Sequence, residues 1–202
     1  MLGYTGWGGA MVSMPFLTIL YGPVTALVIM IIGALLVAGS LFPTAARIAD
    51  WRRMTPILIA TTFCVPIGNL LLFALEPDLI RRIIGSLIVG ASILILSGWR
   101  YSGPQGAGAS AATGAISGLI NGFVGLGGPP VVIYMLALKQ SAAVQRANTL
   151  VFMAITSVLV LGSTFVGGGV TLENSFLGVL AAPFQICLLY TSDAADDTPC
   201  VD

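Results

Sequence analysis

The chain is 202 residues long, 57% hydrophobic and 8% charged, with a mean hydropathy of +1.01, a composition that excludes a soluble globular domain and defines an integral membrane protein. Eight basic and eight acidic side chains leave no formal net charge. The absence of histidine excludes intramembrane proteolysis by a Ser–His pair and a His-ligated metalloprotease site.

In chain order, residues 1–20 are apolar but form an incomplete span, with no basic segment ahead of them as a cleavable signal would need. Uncharged stretches at 24–46, 54–75 and 83–99 are each long enough to cross a hydrocarbon core of roughly 30 Å as a helix. Strand-like alternation is absent, so helices are expected and not a barrel. A glycine-rich polar linker at 100–108 divides the chain near its middle. The uncharged stretch 106–138 is too long for one straight span and contains GFVGLGGPP at 122–130. Proline removes a backbone donor and glycine costs about 1 kcal/mol of helix stability, so two segments meeting at a break are predicted there. Residues 147–166 form another span and 172–186 a further incomplete one.

Shifting the chain by 119 residues lays Gly3, Gly6, Gly8 and Gly9 over Gly122, Gly125, Gly127 and Gly128, with Tyr4 over Phe123. The expected architecture is an all-α polytopic bundle of two homologous halves with broken helices at the glycine motifs: a first repeat at 1–100, a linker at 101–108 and a second repeat at 109–186. In that register the second repeat would run to about residue 219 (100 + 119), and an apolar run should precede Gly3, so truncation is expected at both ends. Residues 187–202 begin CLLYTSDAADD, which resembles translated read-through of a transposase sequencing adaptor and is set aside as an artefact. Four of the eight acids go with that tail and none of the bases, leaving a surplus of four positive charges. If spans simply alternate, one side of the membrane receives Arg47, Arg52, Arg53 and Arg100 and the other Arg81, Arg82, Lys139 and Arg146, which fixes no orientation.

Paired breaks in two halves point to a transporter's substrate site, because unwound backbone exposes N–H groups and helix ends at mid-membrane depth. Gly8, Gly9, Gly127 and Gly128 are therefore expected close together near mid-membrane, with Pro129 following the second pair. Asn121 is either an interhelical hydrogen bond or a ligand contact. Gly114, Gly118 and Gly122 recur every fourth position as a groove for close helix packing, and Ser117 between them only imitates a serine nucleophile motif. Cys64 reads as a small packing residue. Arg146, whose counterpart by the shift is Leu27, either snorkels to the headgroups or faces a cavity between the halves and draws anions inward. In the second case Thr149 adds a hydroxyl on the same helical face, with Met153 beyond it. No acidic residue lies inside a span, which disfavours a cation pump.

The motifs GYTGWGGAMVSMP and GLINGFVGLGGPPVVIYMLAL, with Gln145-Arg146-Ala147 at the next span, resemble the repeat of the sulfite exporter TauE/SafE family. That resemblance implies a multi-pass transporter of sulfite, sulfonates or similar small anions in the bacterial cytoplasmic membrane. It implies a small anionic substrate and the lipid bilayer as partners, no cofactor, no metal and no nucleic acid, and it leaves room for a homo-oligomer. A non-transporting membrane scaffold is the alternative, for which the glycines serve packing only. A membrane-embedded enzyme lacks the acids, bases and nucleophiles it would need within the spans.

Overall fold

The structure, a computed structural model, describes residues 7–97, 103, 105–138, 140–181 and 183. Gly3, Gly6, Arg100, Lys139 and the segment 187–202 lie outside the described residues. Within them every regular element is a helix: α1 (Trp7–Tyr21), α2 (Pro23–Ile48), α3 (Trp51–Ala74), α4 (Pro77–Leu96), α5 (Ala107–Val124), α6 (Gly128–Ala137), α7 (Ala142–Val166) and α8 (Leu172–Ala181).

Local chemistry sets these boundaries. Gly22 turns at φ 83° ahead of Pro23, which opens α2 where its missing N–H has no intrahelical partner. Asp50 caps α3 by accepting from Arg53 N at 3.4 Å. Three helices, α2, α3 and α7, are long and apolar enough to span a bilayer. The stretch expected as a span at 83–99 begins inside α4, and residues 98 and 99 of it lie outside the described residues.

The tightest packing joins α3 to α5. A side chain at Gly114 would run into the Ile57 carbonyl, one at Gly122 into that of Val65, and one at Gly118 would sit 2.9 Å from Thr61 Cα and 3.1 Å from Cys64 Cβ. From the other side Gly68 presses on the Leu119 carbonyl. The two backbones thus meet through a seam of missing side chains, as the four-residue spacing predicts, and Cys64 belongs to that seam. Thr61 Oγ1 donates across it to Gly114 O at 3.0 Å.

Helices α2 and α7 pack antiparallel. At one end Asp50 N donates to Asn148 Oδ1 at 2.8 Å. At the other, a side chain on Gly169 would meet both Val24 Cγ1 and the Phe73 ring. These contacts name the two ends of the bundle, the Asp50 end and the Phe73 end. Asn69 on α3 donates to Thr164 Oγ1 on α7 at 2.7 Å, a buried amide bond of the kind that contributes about 1 kcal/mol between membrane helices.

Helices α5 and α6 do not continue one another across the bundle; they fold back as a hairpin. Gln105 Nε2, just ahead of α5, donates to Ala137 O at the end of α6 at 2.9 Å, and Ser110 Oγ lies 2.8 Å from Tyr134 Oη. Because Gln140 Nε2 also donates to Asp50 Oδ2 at 2.8 Å, both ends of the hairpin lie at the Asp50 end. The turn of the hairpin is the glycine run.

Candidate functional site

The break is built from two side chains, Ser117 and Asn121, and three glycines. α5 stops at Val124 because Gly125 adopts φ 72°, a left-handed conformation natural to glycine, and its N–H returns to Asn121 O at 2.8 Å. Any side chain at Gly125 would also meet Leu27 Cδ1 at 2.8 Å. Gly127 is needed for a different reason: its missing side chain is the only space between it, Asn121 Cβ and the Ser117 carbonyl. Gly128 is the first residue of α6, and Pro129 and Pro130 follow in its first turn. Consecutive prolines are tolerated there because first-turn N–H groups have no intrahelical acceptor to lose.

The polar groups at the break divide into satisfied and open ones. Ser117 Oγ donates to Gly127 O, so the hydroxyl that imitates a nucleophile is bound to the break. Asn121, 4% exposed, accepts from Gly127 N at 3.3 Å through Oδ1. That bond orients the amide, and among the described residues its Nδ2 has no acceptor. Gly128 N–H has none either, again among the described residues. With no N–H on Pro129 or Pro130, the start of α6 offers two donors, Gly128 N–H and Asn121 Nδ2, at the positive end of a helix.

Four expected site residues remain to be placed. Gly8 and Gly9 fall in the first turn of α1. Arg146 is exposed on α7, and its neighbour Gln145 donates to Leu138 O at 3.2 Å, which sets it level with the far end of α6, roughly 15 Å along that ten-residue helix from the break. Thr149 is buried and donates to Gln145 O at 3.0 Å in its own helix. Met153 is half-buried. Asn121, Gly127, Gly128 and Pro129 come together; Arg146 and Thr149 form a separate group toward the Asp50 end.

A half-open cavity of about 450 Å³ flanks the break between α4, α5 and α6, lined by Leu87, Ala91, Ile116, Ile120, Pro129 and Ile133 among others. Its lining is apolar, so it suits hydrocarbon and not a bare anion. Two polar positions escape the sequence reading altogether. Asn148 is fully buried on α7, and Asn69 is 3% exposed on α3. The signal for both was there, an amide inside an apolar span.

A helical membrane protein with a half-length helix starting inside the bundle is the class these features define. Over residues 1–191 the chain matches the family model described as Sulfite exporter TauE/SafE, and it belongs to that family of membrane transporters. Searches of the curated proteins and of the solved structures gave no match.

Proposed function

We propose that the protein carries small sulfur oxyanions, such as sulfite or sulfonates, across the bacterial cytoplasmic membrane, and that the break at Gly125–Pro130 is where they bind. The observation that carries this reading is the pair of open donors, Asn121 Nδ2 and Gly128 N–H, at a buried helix start. Aligned peptide dipoles place about half a positive charge at such a terminus, and converging N–H groups match an oxyanion's lone pairs. Asp50, Glu76, Asp78 and Glu173 all sit at helix ends or turns, so no carboxylate opposes an anion inside the described spans.

Two homologous halves fit the helix boundaries. The shift that lays Gly3 over Gly122 carries α2, Pro23–Ile48, onto 142–167, where α7 runs Ala142–Val166. It carries the start of α3 to 170, two residues before α8. In that register α1 corresponds to α6, and Gly8 and Gly9 supply the opposing helix start. Arg146 and Thr149 then line the approach from the Asp50 end, where a guanidinium gathers anions without holding them.

Radiolabelled sulfite uptake into proteoliposomes tests this. Saturable uptake above protein-free vesicles, inhibited by excess unlabelled sulfonate and indifferent to monovalent cation identity, is expected. Uptake equal to that of protein-free vesicles would contradict it and favour a scaffold.

A further inference from the structure

We infer that Asp50, Gln140 and Asn148 form a latch that closes the Asp50 end of the bundle and releases during transport. Asp50, in the α2–α3 turn, lies 90 residues before Gln140 in the α6–α7 turn and 98 before Asn148 on α7. Gln140 Nε2 donates to Asp50 Oδ2 at 2.8 Å, Asp50 N donates to Asn148 Oδ1 at 2.8 Å, and Asn148 Nδ2 donates to Gln140 Oε1 at 3.3 Å. The circuit is closed, and it is seated on a fully buried amide. Gln145 Nε2 braces it by donating to Leu138 O at 3.2 Å and Gln140 O at 3.4 Å.

Three features make this a latch and not a static brace. It is the α5–α6 hairpin, whose turn is the glycine break, that Gln140 ties to the α2–α3 turn; the hairpin's end cannot swing away from α2 and α3 without breaking the circuit. A second partner for the carboxylate stands ready, because Arg53 Nε lies 3.5 Å from Asp50 Oδ2. When Gln140 leaves, Arg53 keeps Asp50 paired, which lowers the cost of the open state. Among the described residues the opposite end of the α2–α7 pair shows no closed circuit of this kind: there Gly169 packs against Val24, Phe73 and the Thr164 methyl and accepts from Asn174 Nδ2 at 2.8 Å, with the Asn69–Thr164 bond nearby. A charged residue with two alternative partners at one end, and mostly apolar packing with neutral amide bonds at the other, give the bundle two unlike closures, so that the Asp50 end opens by switching partners.

The latch presupposes the transport cycle proposed above, and two measurements separate them. In the full chain carrying Cys64→Ser, Cys187→Ser and Cys200→Ser, Asp50→Cys and Gln140→Cys are bridged with a short bis-methanethiosulfonate in proteoliposomes. Sulfite flux is expected to fall about tenfold or more on bridging, the scale set by fixing one of two states, and to return on reduction. Unchanged flux in the bridged protein would overturn the latch and leave transport standing; no flux in the native chain would overturn transport alone. The second measurement is independent of substrate. Thr149→Cys, one residue past Asn148, is labelled with a membrane-impermeant thiol reagent in the same cysteine-free background, with and without Gln140→Ala. Loss of the tie is expected to speed labelling about tenfold, as the loss of hydrogen bonds to a buried amide would. Equal rates would overturn the latch whatever the flux.

Discussion

Gly127 and Asn121 act as one unit, since the glycine leaves room for the amide and the amide accepts the glycine's N–H. Gly127→Ala would press a methyl into Asn121 Cβ and the Ser117 backbone, neither of which can retreat. We expect a loss of about 1–3 kcal/mol, read as a lower unfolding midpoint of the detergent-solubilised protein; an unchanged midpoint would show that the break relaxes freely. Arg146 belongs to another place. Its exposure at the Asp50 end predicts that Arg146→Gln raises KM for sulfite while leaving kcat nearly intact, which a concentration series of initial uptake rates would show. A collapse of kcat with unchanged KM would move Arg146 into the binding site. From sequence alone Asn121 read equally as a structural bond or a ligand contact. Oδ1 takes the structural role by accepting from Gly127 N–H, and our proposal gives Nδ2 the other.

At the scale of the helix, the seam between α3 and α5 was legible because a repeat of glycines every four residues has one physical use in an apolar segment. Its partner helix was not legible, since spacing names a face and not what covers it. Within α5 the seam makes a contrast between two glycines. Gly118→Ala places a methyl 2.9 Å from Thr61 Cα and is expected to destabilise by about 1–3 kcal/mol. Gly108→Ala, with open space around it, is expected to be neutral or stabilising by up to about 1 kcal/mol. Thermal unfolding of the pair checks this, and equal midpoints would deny the close approach. The run 122–130 holds both the end of α5 at Val124 and the start of α6 at Gly128. What the sequence did not reveal was that α6 turns back; proline and glycine mark where a helix stops, whereas the direction afterward is set by tertiary bonds such as Gln105 to Ala137.

For the molecule as a whole, that reversal changes the charge balance. Simple alternation of spans put Arg146 with Arg81 and Arg82, but the hairpin returns it to the end that holds Arg47, Arg52 and Arg53. The Phe73 end keeps Arg81 and Arg82 beside Glu76, Asp78 and Glu173. An excess of arginine faces the cytoplasm in membrane proteins, so the Asp50 end is expected inside. In intact cells a membrane-impermeant thiol reagent should label Glu76→Cys and spare Arg52→Cys in the chain with Cys64, Cys187 and Cys200 replaced by serine; the reverse pattern would invert the orientation. The central claim, that an anion is held by the donors at the break, is tested most directly by sulfite flux through Asn121→Asp. Aspartate keeps the shape and the acceptor for Gly127 N–H but replaces the open donor with a carboxylate, so flux at neutral pH should fall about tenfold or more with membrane levels unchanged. Native flux through that variant would contradict the claim.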